Sequence, residues 1–229
     1  MSQSDDAVLW IKKNKKLILE RFADPKKFPK EEKPLTIFMA GSPGAGKTET
    51  AKAWVKNIAT PIVHIDADAV RSLIPGYNGK NSSVFQGAAT VGVEKLFDHV
   101  IDHRQSVILD TTFTPYEKAK KNVERALGKG RSVLIIYVYQ DPLQAWKFAK
   151  AREIVEGRVV PKESFIRQFL DAPKSVQGII DQFGSAIQVD VMRKDIQKGS
   201  EQQYFQRVPT IEKVISTGYT KDDLELVIL

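Results

Sequence analysis

Short apolar runs rich in β-branched residues recur along the chain, and between them lie longer stretches whose apolar positions return every three or four residues. The runs Leu35–Ala40, Ile62–Ile65, Val107–Leu109, Val133–Tyr139 and Ile187–Met192 read as strands buried on both faces. The stretches between them predict helices over Thr50–Ile58, Val84–Arg104, Tyr116–Leu127 and Leu143–Glu156, with a short one over Val70–Ile74. A further helix starts near Pro161 and another spans Ser175–Phe183. Strands alternating with helices predict an α/β fold, with a mostly parallel, doubly wound sheet covered by helices on both faces. In such sheets ligands bind at the carboxyl ends of the strands, so functional residues are expected just after each one.

Outside this alternation, Ala7–Phe22 interleaves Val8, Leu9, Ile11, Leu17, Ile18, Leu19 and Phe22 with four lysines, the pattern of an amphipathic helix with a solvated basic face. Asp24–Pro34 holds three prolines among lysines and glutamates and reads as a linker. The expected division is an N-terminal helix and linker over 1–34, a nucleotide-binding domain over 35–195, and an extension over 196–229 packed on that domain. Gly199–Pro209 is polar and carries no predicted element, and Thr220–Leu229 reads as a terminal helix or strand.

Composition narrows the function classes. At 229 residues and 42% hydrophobic, the chain can bury one sizeable core. A net charge of +7 suits anionic ligands such as nucleotides but is modest for a dedicated nucleic-acid binder. The absence of cysteine excludes disulfides and thiolate metal sites. No apolar stretch long enough to span a membrane and no leader-like segment is read, so the expected location is the cytoplasm.

The chemistry begins after the first strand, where Gly41-Ser42-Pro43-Gly44-Ala45-Gly46-Lys47-Thr48 fits G-x-x-x-x-G-K-[ST], followed by Glu49. Glycines let backbone N–H groups turn inward around a polyphosphate at a helix N-terminus. Lys47 adds a charge at the β- and γ-phosphates, and Thr48 offers a hydroxyl to Mg²⁺. Asp66 and Asp68 end the second strand, and Asp110 with Thr111 and Thr112 ends the third, closing the Walker B-like run Ser106–Asp110. One such carboxylate can serve the magnesium and another can take a proton from an attacking hydroxyl. Asp66 and Asp68 also suit the cap of the short helix that follows. Arg152 lies late on a helix and Arg158 follows the Gly157 stop, a placement that fits a mobile lid closing over the γ-phosphate. Tyr77 reads equally as a stacking surface and as an exposed turn residue. His64, His99 and His103 lack metal-ligand spacing.

Together these residues resemble the zeta-toxin family of P-loop kinases over about Leu35–Met192. The resemblance implies ATP and Mg²⁺ as cofactors and transfer of the ATP γ-phosphate to a hydroxyl of a small metabolite, such as the sugar of UDP-N-acetylglucosamine. In the family a strand after the phosphate loop ends in Asp-x-Asp; here Asp66-Ala67-Asp68 follows, with Asp68 lying 21 positions beyond Lys47. By the resemblance Asp68 is the expected base, Asp66 and Arg71 lie at the substrate, and Glu94, 16 positions before Asp110, contacts it too. Asp110-Thr111-Thr112 stands where many members read Glu-Gly-Thr, which places Asp110 with Thr48 at the metal and Thr111 at the substrate. Arg152 and Arg158 ahead of Pro161-Lys162-Glu163 match the lid with closer spacing, and Arg167 is a third basic candidate. A small helical antitoxin is the partner the family implies; neither membrane nor nucleic acid is expected. The glycine-rich segment Pro75–Asn81 departs from the family, so the acceptor is less defined than the reaction. A kinase acting on a nucleic-acid end or another nucleotide, and a regulatory NTPase, stay open as alternatives.

Overall fold

The central strand β1 (Leu35–Ala40) shows why the sheet carries helices on both sides. Its side chains alternate between faces: Ile37 and Met39 enter a cluster with Ala51 and Trp54, while Phe38 and Ala40 enter the larger core with Phe97 and Phe113. The computed structural model describes residues 2–58, 60–194, 202–215 and 218–228. The other strands are β2 (Val63–Asp66), β3 (Val107–Asp110), β4 (Ser132–Gln140), β5 (Gln188–Lys194) and β6 (Gln203–Phe205), in the sheet order β2-β3-β1-β4-β5-β6. β1 to β5 pair in parallel and β6 closes one edge antiparallel to β5. The chain runs from β1 to β2 and β3 on one side and then crosses to β4 and β5 on the other, a reversal that opens a crevice at the carboxyl end of β1.

The helices are α1 (Gln3–Lys13), α2 (Lys15–Ala23), α3 (Lys47–Asn57), α4 (Ala67–Arg71), α5 (Ser82–Asp102), α6 (Tyr116–Gly128), α7 (Pro142–Glu156), α8 (Lys162–Phe183) and α9 (Lys221–Val227). Two expectations change here. The single helix over Ala7–Phe22 is a pair broken at Asn14, whose side-chain amide donates to Trp10 O at 2.9 Å. The two helices beginning near Pro161 and at Ser175 are one, α8, which runs through Pro173. A proline removes a backbone donor and usually ends a helix. In α8 that cost is offset by a continuous buried face of Phe165, Ile166, Phe169, Ala172, Val176 and Ile179.

The N-terminal helices pack on α5, and Ile11 and Ile18 belong to the main core. The segment read as a linker is fastened by the end of α5: Gln105 Nε2 donates to Ala23 O (3.0 Å) and Phe28 O (2.7 Å), and Arg104 Nε donates to Glu31 O (3.0 Å). Within the polar segment Gly199–Pro209, whose first three residues lie outside the described residues, β6 forms a strand with no sequence signal of its own. It is held through buried Asp190, which accepts from Tyr204 Oη, from the Arg207 N–H at 2.9 Å and from Gln188 Nε2 at 3.0 Å. The terminal segment is helical, and Thr220 and Asp223 form a reciprocal cap at its start. Among the described residues no helix is long and apolar enough to cross a membrane.

Candidate active site

A cavity of about 1320 Å³ opens at the carboxyl ends of the parallel strands, lined by Pro43–Glu49, Asp66–Asp68, Asp110–Thr114 and residues from α5, α7 and α8. β1 delivers the phosphate loop to its floor. The Gly41 N–H donates to Thr112 O at 3.3 Å, tying the loop's start to the chain beyond β3, and Lys47 Nζ donates to Ser42 O at 2.8 Å across the loop. α3 begins at Lys47, three residues earlier than its periodicity suggests, because the loop's last glycine ends the turn directly at the helix. The backbone N–H groups of the first turn of α3 thereby border the cavity, as anion binding at a helix N-terminus requires. Burial pulls the Lys47 ammonium down to about 8, with Arg158 and Arg152 adding to the effect and Asp110 opposing it.

Next to Lys47, Thr48 Oγ1 donates to Asp110 Oδ2 at 2.7 Å. Burial alone would raise Asp110, but the neighbouring His64, Lys47 and Thr48 outweigh it and hold the carboxyl below the usual range. His64 Nε2 stands 3.9 Å from Asp110 Oδ2, so this histidine faces the site from within β2. A hydroxyl and an ionised carboxylate in contact beside a phosphate cradle fit Mg²⁺, which is commonly held by one or two protein oxygens with phosphates and waters supplying the rest.

Asp66 ends β2 and Asp68 lies in the first turn of α4, and the two carboxylates have different roles. Asp66 caps α4 by accepting from the Asp68 N–H at 3.0 Å, and burial raises its carboxyl. Asp68 is the junction of the site. Its Oδ1 accepts from Arg71 Nη1 and its Oδ2 accepts from Arg158 Nη1, while Arg152 Nη2 lies 3.8 Å from the same Oδ2. Arg71 is only 1% exposed; its other arm donates to Gln86 Oε1 at 2.6 Å, and its guanidinium lies 5.9 Å from the ring centroid of Tyr77. Tyr77 therefore packs beneath Arg71 and against Phe85 and does not line the cavity.

Arg152 reaches Asp68 from within α7, and Arg158 reaches it because that helix ends in a left-handed glycine. Gly157 (φ 72°) turns the chain so that Arg158 doubles back, and Gly79 brings the α4–α5 turn against the Glu156 carbonyl, where a Cβ would lie 2.3 Å away. On the opposite wing, Glu94 is paired with Lys118 (3.1 Å) and Arg125 (3.0 Å), and Thr111 Oγ1 accepts from the Phe113 N–H at 3.0 Å. Phe113 has φ 62°, an uncommon conformation for a bulky residue, and its buried ring packs 5.8 Å from Phe38. Arg167 is the exception among the candidates beyond the phosphate loop. It is exposed beside Glu163 and does not border the cavity, because the two share the solvent stripe of α8 while Ser164 and Gln168 face inward.

The zeta toxin family model matches residues 19–206. This chain belongs to the zeta toxin family. The match begins partway through α2 and ends one residue past β6, so the whole sheet falls inside the family's extent. No curated protein matches the sequence significantly. Among solved structures, the fold is similar to one from the PezAT chromosomal toxin–antitoxin system of Streptococcus pneumoniae, with a TM-score of 0.64 at 17% identity over 100% of this chain and 88% of that one. It is also similar to the AvrRxo1-ORF1:-ORF2 complex in its native form, with a TM-score of 0.63 at 14% identity over 98% of this chain and 68% of that one. A second structure of that complex, with ATP, gives a TM-score of 0.61 at 14% identity over 88% of this chain and 65% of that one. At such identities these likenesses establish the P-loop fold of the family.

Proposed function

We propose that the protein is an ATP-dependent kinase that moves the γ-phosphate to a hydroxyl of a small metabolite, with a nucleotide sugar of the UDP-N-acetylglucosamine type as the best-supported acceptor. The observation that carries this reading is the convergence on Asp68: a carboxylate at a strand end, two lid arginines and the phosphate loop all border one cavity. Phosphoryl transfer asks the protein mainly for positioning and for compensation of charge on the transferred group. Lys47 and the N–H groups opening α3 would hold the polyphosphate, and Thr48 and Asp110 would hold Mg²⁺, which supplies charge neutralisation when bound. A γ-phosphate beside Lys47 competes with Asp68 for Arg152 and Arg158. Transfer of those guanidiniums to the phosphate frees Asp68 Oδ2 to accept the proton of the incoming hydroxyl, while Arg71 keeps the carboxylate aimed through Oδ1. The acceptor would enter along α5 and α6, where Gln86, Thr90, Glu94 and Asn122 offer the mixed donors and acceptors a sugar requires. The family supports this acceptor class, and toxin–antitoxin pairing in PezAT supports a small antitoxin as partner.

The test is incubation with labelled ATP, Mg²⁺ and a panel of nucleotide sugars, nucleosides and oligonucleotides, followed by mass analysis. One added phosphate on a nucleotide sugar is expected, and Lys47→Ala should abolish it. Phosphate released only to water would overturn the kinase reading, and label on oligonucleotide ends would replace the acceptor.

A further inference from the structure

Two residues outside the sequence candidates line the same cavity beside the phosphate loop. Lys194, the last residue of β5, donates from Nζ to Gly46 O at 3.0 Å, and a Cβ on Gly46 would lie 2.4 Å from that nitrogen. The Gly46 carbonyl is already satisfied by the Thr50 N–H (3.1 Å) and Thr50 Oγ1 (2.8 Å), so the loop does not need the lysine to complete its hydrogen bonding. Burial lowers the Lys194 ammonium, and Glu49, in the first turn of α3, opposes that shift. The second residue is Phe148 on α7. This helix presses on the loop, since a Cβ on Gly44 would lie 1.9 Å from Ala145 O and 3.0 Å from Ala149 N. Phe148 borders the cavity with 37% of its surface exposed and makes no ring contact among the described residues, whereas nearby Trp146 and Phe165 pack edge to face. It precedes Arg152 by one helical turn, about 6 Å along α7. With Arg152 marking the γ-phosphate end, Phe148 lies farther back along the same wall, where the nucleoside of a bound triphosphate would emerge.

We propose that Phe148 and Lys194 form the nucleoside wing of the donor site, the phenyl ring stacking on the base and the ammonium pairing with the α-phosphate. This rests on the reading of the donor as a nucleoside triphosphate. A flat apolar ring suits any base, and a purine gains most from it because it offers the larger face. Lys194 differs in position from Lys47: one meets the α-phosphate end of the loop, the other the β/γ end.

Calorimetric titration of the full chain with ATP and with inorganic tripolyphosphate, both with Mg²⁺, separates the two contributions. Phe148→Ala should weaken ATP about tenfold, the scale of one lost base stack, and leave tripolyphosphate within about twofold. Lys194→Met should weaken both ligands about tenfold, with Lys194→Arg restoring most of the loss. Unchanged ATP binding in Phe148→Ala, or an equal loss for both ligands, overturns the stacking role. Full binding by Lys194→Met, or no recovery in the arginine variant, overturns the phosphate role. A wild-type protein that binds tripolyphosphate but no nucleoside triphosphate overturns the wing and the donor reading together. Normal wild-type ATP binding with unresponsive variants overturns the wing alone.

Discussion

In the proposed mechanism Asp68 Oδ2 meets an incoming hydroxyl only when the arginines now held against it have another partner. Two of its three guanidiniums come from Arg152 and Arg158 and the third from buried Arg71, so the proposed mechanism has substrate draw away the first two without disturbing the third. Asp68→Asn keeps an oxygen for Arg71 but cannot take a proton; folding and ATP binding should persist while transfer falls at least about a hundredfold, the scale of a general base. Single-turnover phosphorylation beside an ATP titration reads both, and an unchanged rate would remove Asp68 from the mechanism. Arg158→Ala should lower kcat at least about a hundredfold with a much smaller change in ATP affinity, since the proposed mechanism gives it a contact with the transferred group that strengthens in the transition state. Equal losses in kcat and affinity would mark Arg158 as a ground-state binder. At this scale the placement of Lys47, Thr48, Asp68 and Asp110 around one cavity was legible from strand-end position and motif spacing, and that of Arg152 and Arg158 from the helix stop at Gly157. Phe148 and Lys194 were not, because neither follows a motif; they reach the loop only through the packing of α7 and the length of β5.

Among the elements, α8 and β6 show packing deciding against local preference. Pro173 sits partly buried in α8 and lacks the N–H that a helix interior uses. Pro173→Ala should therefore raise stability by about 1–2 kcal/mol, part of the roughly 3 kcal/mol helix-interior penalty, read as an upward shift in denaturant midpoint. No shift would mean that the helix has adapted to its proline. β6 depends on one buried carboxylate. Tyr204→Phe removes a donor to Asp190 and should cost about 1–2 kcal/mol near neutral pH, because two other donors remain. Burial and Asp190 raise the Tyr204 hydroxyl above its ordinary value. A raised folded value contributes stability that is complete below the unfolded value near 10 and is lost as pH climbs through the folded one. The wild type should accordingly lose more stability than Tyr204→Phe above about pH 10. Parallel alkaline profiles for the two proteins would refute the coupling.

For the whole molecule, the segment ahead of β1 is bound into the core that carries the site. Ile11 is fully buried against α5, the same helix that presents Gln86, Thr90 and Glu94 to the cavity. Ile11→Ala should lower global stability by about 3 kcal/mol, the cost of a large-to-small change in a packed core, and a single cooperative denaturation curve should shift as a unit. An unchanged midpoint would make the N-terminal helices an independent appendage.

The alternation of buried runs and amphipathic stretches determined the strand–helix order and which strand ends carry polar groups, because these depend on side-chain periodicity and local turn chemistry. Glycine spacing likewise placed the phosphate loop. Tertiary structure alone decided that Arg158 meets Asp68 across 90 positions, that a proline lies inside a continuous helix, that β6 completes the sheet edge, and that Arg167 faces solvent. Each of those outcomes depends on partners distant in sequence, whose combined burial outweighs any preference written into a short window.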